Sequence, residues 1–464
     1  MKTCSMFTNY TEHLQTMQLH FESGVTRSYQ FRIQKLRDLK NAIIEFEEEI
    51  YASLFYDLKK SKEEAYATEI GLTLSEINTA IKKLKSWMEP EYVPTDLVNL
   101  PSSSKLYRDP LGVILIISPW NYPFQLLFNP LIGAIAGGNC IVLKPSEFAP
   151  ATAAVMEKIC TKIFPKEYVA IIQGDGATVI PAMMRDFRFD HVFYTGSIPV
   201  GKLIYKMAAE KLIPVTLELG GKSPCIVEED ANIKVAARRI VLGKFINTGQ
   251  TCIAPDYILV HESKKNILIE KMKEAIVDFY SDDIELSNEY GKIINEKRFD
   301  TLVNYLSQGN IVLGGKNNRS KLFIEPTILE NVSLDAPLMK EEIFGPLLPV
   351  FTFRTFEEAL QIVKQNANPL AFYLFTTNNT KEKQWIQSVA FGGGCVNNTV
   401  YHFTNHNMPF GGVGNSGIGA YHGKFSFNTF TRLKPVLKTP NWFDPVLKYP
   451  PFKGRLRLFK WLIR

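Results

Sequence analysis

Cysteine is scarce in this chain of 464 residues: there are six, at positions 4, 140, 160, 225, 252 and 395. None forms a CxxC pair. That is too sparse for a disulfide scaffold and gives no structural zinc pattern, so reduced thiols and a cytoplasmic setting are expected. An excess of one charge is also missing. Lys and Arg number 53 against 47 Asp and Glu, a net +6. A nucleic-acid binder concentrates its basic residues, and this chain does not. The N-terminus, MKTCSMFTNYTEHLQ, lacks the apolar core of a secretory signal. There is no internal repeat and no low-complexity segment, and no GxGxxG fingerprint follows the strand candidates between 113 and 217. One uncharged stretch, 110–143, is long enough to span a bilayer. It is broken by Pro119, Asn121, Pro123, Gln125, Asn129, Pro130 and several glycines, which a lipid-facing helix tolerates poorly.

What is present is a globular composition, 45% hydrophobic and 22% charged. The length suits two large domains or three ordinary ones. Residues 29–90 read as helices. Leu36, Leu39, Ile43, Phe46 and Ile50 step by three and four, as do Leu74, Ile77, Ile81, Leu84 and Met88. Pro90, Pro94 and Pro101 end the pattern, leaving 92–110 as an extended arm or linker. Strand candidates then follow at 113–117, 140–143, 169–172, 191–194 and 215–217. Helices fit near 124–136, 150–164, 177–186 and 199–212. After Gly220–Gly221 the alternation resumes, with strands at 225–227, 257–260, 324–329, 372–375 and 394–396. Helices fit near 231–246, 264–280, 298–307, 356–366 and 380–389. Such alternation implies parallel sheets covered by helices, with ligands outside the carboxyl ends of the strands. Two α/β domains with a hinge near Leu219–Gly221 are expected.

Several segments carry chemical potential. Cys252 lies in Phe245–Pro255, FINTGQTCIAP, in a loop between helix and strand among small polar residues. A thiol there is a candidate nucleophile, against the common fate of a buried structural cysteine. Glu218 ends an apolar strand at the hinge. Burial would raise its pKa and suit it to general-base work, unless it pairs with a lysine or caps a helix. Asn121, in Ile117–Pro123, offers an amide to an oxyanion or serves as a turn residue. Lys144 and Glu147 follow the second strand and are candidates for ribose hydroxyls or an adenosine phosphate. The segment Tyr194–Gly201 opens a helix whose first-turn amides can receive a pyrophosphate. His402 and His406 have the spacing of a metal pair, but no third ligand accompanies them, so no metal site is expected.

Seven segments occur in order along nearly the whole chain: PWNYP, LKPSE, YTGS, LELGGKSP, NTGQTC, EEIFGP and PFGGVGNSG. Together they resemble the aldehyde dehydrogenase superfamily. GQTCIAPDY, GNSGIGAYHGK and YPPF look most like its class 3 branch, which includes fatty-aldehyde enzymes. The resemblance implies an α/β fold with two Rossmann-like parallel-sheet domains and a small β oligomerisation arm. It assigns 1–91 and 111–218 to an NAD(P)-binding domain, 219–424 to a catalytic domain and 92–110 with 425–438 to the arm. Residues 439–464 remain as a basic amphipathic tail. It implies Cys252 as nucleophile, Glu218 as general base, and Asn121 with the Cys252 backbone N–H as oxyanion hole. Lys144 and Glu147 would meet the adenosine ribose, and Gly196 and Ser197 the pyrophosphate. Gly201 would let the helix pack closely. Glu342 and Phe344 would hold the nicotinamide ribose and ring, with Trp120 among the cofactor contacts. The cofactor would be NAD or NADP, with NAD favoured because Glu147 would repel a 2′-phosphate. A homodimer is expected.

The implied activity is oxidation of an aldehyde to a carboxylic acid. Its rivals are transfer of the acyl group to coenzyme A, a non-catalytic scaffold on the same fold, and a thiol hydrolase. Acyl-transferring relatives lack the glutamate found here at 218. Tyr122, Phe391, Tyr401 and Phe403 are candidate apolar walls for the substrate. The tail from Lys448 to Arg464 carries six basic residues and no acidic one. On a helical wheel Arg457, Lys460 and Arg464 share one face, opposite Leu456, Leu458, Phe459, Leu462 and Ile463. Such a helix suits an anionic membrane surface or docking on protein.

Overall fold

Five apolar runs build the first sheet: Val113–Ile117, Cys140–Lys144, Val169–Ile171, His191–Thr195 and Val215–Glu218. The computed structural model in which they are seen describes residues 4–463, with side chains from Tyr10 onward. The Cys4 side chain and Arg464 lie outside the described residues. The five strands are parallel, with Val113–Ile117 flanked by Cys140–Lys144 and His191–Thr195. Gly417–Ile418 adds antiparallel beyond Val215–Glu218. The chain runs from Val113–Ile117 to one edge, then returns to place His191–Thr195 on the other side. The strand order therefore reverses beside Ile117, which opens a crevice at the carboxyl ends.

The second sheet has seven strands, in the order Asn310–Leu313, Thr327–Glu330, Leu347–Phe353, Tyr257–His261, Pro224–Val227, Ala371–Phe375 and Gly393–Val396. Only Asn310–Leu313 pairs antiparallel. Asn310–Leu313 was not among the expected strands, and two further features depart from the sequence reading. The expected strand at 324–329 is two pieces. Phe323–Ile324 forms a hairpin with Asn317–Asn318, and Thr327–Glu330 joins the sheet. Glu325 and Pro326 separate them, and a proline cannot donate to a ladder. Leu347–Phe353 was not expected as a strand at all, although Leu347, Leu348 and Val350 are buried in its centre.

The helical region 29–90 resolves into Tyr29–Glu45, Glu47–Leu58 and Gly71–Met88, linked by Lys62–Ala65 and a π turn, Tyr66–Ile70. A further helix, Cys4–Glu22, precedes them. Leu36, Leu39, Ile43, Leu54 and Ile77 join the first sheet in one apolar core. Tyr421, Phe427 and Phe430 return to that same core from the far end of the chain. The second sheet carries a separate apolar cluster on each face.

Ser103–Pro110 pairs antiparallel with Glu91–Val93 on one side and Thr431–Lys438 on the other. Within the expected arm segment 425–438, residues up to Thr429 belong to a helix, Lys424–Thr429. The tail ends in a seven-residue helix, Leu456–Leu462, with Leu456, Trp461 and Ile463 exposed. Among the described residues, no helix is long and apolar enough to cross a membrane.

Candidate active site

Helix Ile233–Phe245 stops where Asn247, Thr248 and Gly249 adopt left-handed backbone in succession, with φ of 50°, 57° and 74°. Such residues cost about 1 kcal/mol or more each when they are not glycine, and persist only when their surroundings over-determine them. Here they do. Asn247 Nδ2 donates to the Asn121 carbonyl at 2.8 Å and to the Gln250 carbonyl at 3.1 Å. The Asn247 backbone N–H donates to Glu64 Oε1 at 2.7 Å. The Gln250 amide bridges the Lys292 carbonyl and the Ile294 N–H, both at 3.0 Å. At Gly249 a Cβ would lie 2.3 Å from the Gly345 carbonyl oxygen, so only glycine fits. This strained turn carries Cys252.

Cys252 is half-buried in the wall of an apolar cavity, whose other lining includes Tyr122, Leu126, Ile246, Phe403, Phe410 and Tyr421. Burial pushes its thiol well up, and the charges of Glu342 and Glu218 push it further. The backbone N–H groups of Cys252 and Ile253 act the other way, by favouring negative charge on sulfur. Burial therefore favours the neutral thiol over the thiolate.

Glu218 ends its strand in register with Thr195 on one side and Gly417 on the other. Both its carboxylate oxygens are buried without a partner. Desolvation alone holds its carboxyl well above the usual range. It neither pairs with a lysine nor caps a helix.

Asn121 sits two residues after Pro119 in the loop that leaves Ile117. Its Nδ2 donates to the Gln250 carbonyl at 3.0 Å, which fixes which way the amide faces and leaves its second hydrogen free. The adjacent Tyr122 hydroxyl lies 2.6 Å from the Thr251 hydroxyl. The Asn121 and Cys252 loops are thus tied together at two points.

Across the carboxyl edge of the first sheet, Ile117 pairs with Lys144 on one side and Tyr194 on the other. Lys144 Nζ donates to the Pro145 carbonyl at 2.7 Å and to Glu147 Oε2 at 3.2 Å. Gly196 donates its N–H to the Glu218 carbonyl at 2.9 Å. Ser197 caps the helix Ile198–Glu210 by position, yet its hydroxyl makes no capping bond. At Gly201 a Cβ would lie 2.6 Å from Leu219 Cδ2, so glycine permits the helix to approach the strand.

Glu342 is held by its neighbours. Lys222 forms an ion pair with Asp256 and donates to the Leu338 and Glu341 carbonyls at 2.8 and 3.0 Å. Asp256 Oδ1 accepts the Ile343 N–H at 3.0 Å. Burial, then the Asp256 charge, raise the Glu342 carboxyl to about 8. Phe344 takes a left-handed φ of 45° and meets the Trp120 ring edge to face at 5.3 Å.

These residues fit a dinucleotide. The Ser118 and Thr195 hydroxyls lie at the strand ends beside the crevice, buried and without partners. Lys144 and Glu147 present a cation and a carboxylate together, as ribose hydroxyls require.

Comparison with known proteins agrees. The model of the aldehyde dehydrogenase family matches residues 10–436. The chain belongs to the aldehyde dehydrogenase family.

The 4,4′-diaponeurosporen-aldehyde dehydrogenase of Staphylococcus aureus is 46% identical over 442 residues, 95% of this chain and 96% of that protein. The dimeric NADP-preferring aldehyde dehydrogenase of Canis lupus familiaris is 42% identical, over 96% of this chain and 98% of its own. A substrate-bound structure of Staphylococcus aureus AldH superposes with a TM-score of 0.96 at 44% identity, covering 98% of this chain and 99% of that one.

Within this aldehyde dehydrogenase, the sequence-predicted residues fall into two groups. Cys252 lines the cavity, Asn121 is bonded to the loop that carries it, and the charges of Glu218 and Glu342 act on its sulfur. Lys144, Glu147, Gly196, Ser197 and Gly201 line the carboxyl edge of the first sheet. Trp120 and Phe344 join the loops between the two groups. Of the candidate apolar walls, Tyr122 and Phe403 line the cavity. Phe391 instead stacks on Phe372, and Tyr401 is exposed. His402 and His406 part company. His402 Nδ1 approaches Cys395 Sγ at 3.7 Å, while His406 Nδ1 meets Glu76 Oε2 at 2.8 Å and stacks on His422. The sequence reading missed Lys60, Glu64 and Glu69, whose only signal was charge inside an apolar helical pattern. It also left Asn247, Gln250, Thr251 and Lys222 unassigned inside motifs it quoted.

Proposed function

We propose that this aldehyde dehydrogenase oxidises an apolar aldehyde to its carboxylic acid through a covalent intermediate on Cys252. The observation that carries the reading is Glu218, a buried carboxylate with no partner, close enough to Cys252 for its charge to act on the sulfur. A carboxylate in that state is a strong base with nothing else to bind. It draws the proton from the Cys252 thiol, and sulfur attacks the aldehyde carbon. The oxyanion that forms takes hydrogen bonds from the Asn121 amide and the Cys252 N–H. Its collapse expels the aldehyde hydrogen as hydride and leaves an acyl thioester. Glu218, once it has released that proton to solvent, takes a second from water, which attacks the thioester; the acid leaves and the proton passes back to the sulfur as free thiol.

A bound nicotinamide supplies the hydride acceptor. Lys144 and Glu147 would hold the adenosine ribose, and the amides after Gly196 and Ser197 the pyrophosphate, with Gly201 allowing the close approach. Glu342, Phe344 and Trp120 would hold the nicotinamide ribose and ring. The exposed Glu147 carboxylate disfavours a 2′-phosphate, so NAD is favoured over NADP. The canine relative is named NADP-preferring, and use of both cofactors is in keeping with the family.

The cavity walls are largely hydrocarbon, which suits long-chain aliphatic, aromatic or terpenoid aldehydes. The staphylococcal relative is named for a carotenoid aldehyde. We divide the chain into a cofactor domain (1–91 and 111–218), a catalytic domain (219–424) and an arm (92–110 and 425–438); the two parallel sheets support this, although Gly417–Ile418 pairs into the first sheet and Tyr421 and Phe427 pack on its core. The arm would pair two subunits into a homodimer, since Leu433, Val436 and Leu437 are exposed on it. The chain would work in the cytoplasm. Its tail, with exposed Trp461 and Ile463 among basic residues, would rest on anionic membrane, where apolar aldehydes dissolve. Flotation with anionic vesicles, with and without residues 439–464, tests the tail, and equal partitioning rejects membrane contact. Product analysis over an aldehyde chain-length series, with NAD or NADP and with or without coenzyme A, tests the reaction. Free acid made at a rate indifferent to coenzyme A is expected. An acyl-coenzyme A product would overturn the reading.

A further inference from the structure

Lys60 is 1% exposed, yet it belongs to no part of the chemistry above. Its Nζ contacts Glu69 Oε1 at 2.5 Å, and both side chains are wholly buried. The same ammonium donates to the Asn121 carbonyl at 3.1 Å and lies 4.0 Å from the centre of the Tyr122 ring. Glu69 uses its other oxygen, Oε2, to accept the N–H groups of Phe124 at 2.9 Å and Gln125 at 3.2 Å. Cation and carboxylate thereby grip the two ends of one short loop, 121–125.

We propose that the Lys60–Glu69 pair is a positioning device that sets the Asn121 amide and the Tyr122 hydroxyl against the Cys252 loop. The inference rests on the reading of Asn121 as an oxyanion donor. Stability gives no reason for the pair. A buried ion pair is commonly no better than two apolar side chains of the same volume, because both ions lose their water. What apolar residues cannot do is bind a carbonyl at one end of a loop and two amides at the other. The consequence reaches the sulfur by two routes. Asn121 Nδ2 bonds the Gln250 carbonyl, and the Tyr122 hydroxyl bonds Thr251, the residue before Cys252. The Asn121 carbonyl is shared between Lys60 and Asn247, so the N-terminal helices and the cysteine turn meet at one oxygen. Glu69 itself sits in the π turn Tyr66–Ile70, an irregularity found mostly at functional sites. That turn also puts Thr68 in the cavity wall. Displacing a reacting constellation by about 1 Å costs on the order of a hundredfold in rate, so a clamp of this kind has a measurable effect.

The test compares Lys60→Met/Glu69→Leu, which removes both charges at similar volume, with Asn121→Ala and with the triple variant. The readouts are thermal stability, cofactor affinity, aldehyde KM, and the stopped-flow rate of reduced-cofactor formation at saturating aldehyde. The double variant is expected to keep its melting temperature within a few degrees and its cofactor affinity and KM within about twofold. Its stopped-flow rate should fall at least tenfold. Adding Asn121→Ala to it should then slow the rate by less than Asn121→Ala slows the parent. Glu69→Gln, which keeps the size and one acceptor, is the second variant should the double variant not fold. It is expected to be at least threefold slower at unchanged KM. A parental rate in whichever of these two folds overturns the positioning role while leaving Asn121 as donor. A parental rate in Asn121→Ala overturns the oxyanion reading, and this inference with it.

Discussion

Gly220 leaves open the space that the Glu342 carboxylate fills: a Cβ built at Gly220 would lie 2.0 Å from Glu342 Oε2. One glycine at the boundary between the two sheets therefore sets where the Glu342 carboxylate stands. The flexible end of Glu342 is what must move if a methyl group appears there. Gly220→Ala should therefore fold normally and bind NAD at least about tenfold more weakly, the worth of one or two charge-assisted hydrogen bonds. Fluorescence titration with NADH measures this, and unchanged affinity would remove Glu342 from the proposed contacts.

Replacing the base should separate the two halves of the reaction. In Glu218→Gln the first turnover should still release reduced cofactor, because thiolate forms slowly without the base but does form at alkaline pH. Steady-state turnover should fall by about 10²–10⁴, the usual worth of a positioned general base. Rapid-mixing absorbance shows both phases, and a parental steady-state rate would contradict the assignment.

Asn121→Ala should lower kcat by about 10²–10³ with little change in aldehyde KM, since the amide is needed only as negative charge develops. Alkylation of Cys252 by iodoacetamide should proceed at the parental rate, because that reaction forms no oxyanion.

Stability should carry the mark of Glu342. Its carboxyl is raised from 4.5 to about 8 by burial and by Asp256, with Arg298, Lys222 and Lys244 opposing. Between these values the folded protein holds a proton that the unfolded chain has released. The contribution is full below pH 4.5 and is lost as pH rises toward 8. Denaturant titrations of the cofactor-free protein from pH 5 to 8 should show a smaller loss of stability in Glu342→Gln than in the parent.

Much of this was legible in the sequence because fully buried parallel strands are written as uninterrupted apolar runs. Val113–Ile117 stands where the reading put it, to the residue. Leu347–Phe353 was not legible, because Pro349 interrupts the run and the preceding EEIFGP segment reads as loop. Cys252, Glu218 and Asn121 were visible through motif and through the oddity of polar groups at strand ends. The raised pKa of Glu218 was anticipated from its place at a strand end; the surroundings of Cys252 were not. Whether Cys252 is exposed or desolvated depends on Phe403, Phe410 and Tyr421, which approach it from more than 150 residues away. Lys60 and Glu69 were invisible for the same reason. Nothing in a helical pattern announces that a lysine will find a carbonyl at position 121.

An acyl group that passes through the sulfur of Cys252 and leaves by way of Glu218 should accumulate on the sulfur once the base is removed. The direct measurement is mass spectrometry of Glu218→Gln, quenched in acid after mixing with NAD and a long-chain aldehyde. The expected result is the mass of the acyl thioester on the peptide that carries Cys252, absent from Cys252→Ala. Reduced cofactor formed with Cys252 unmodified, or an acyl group on another residue, would contradict it.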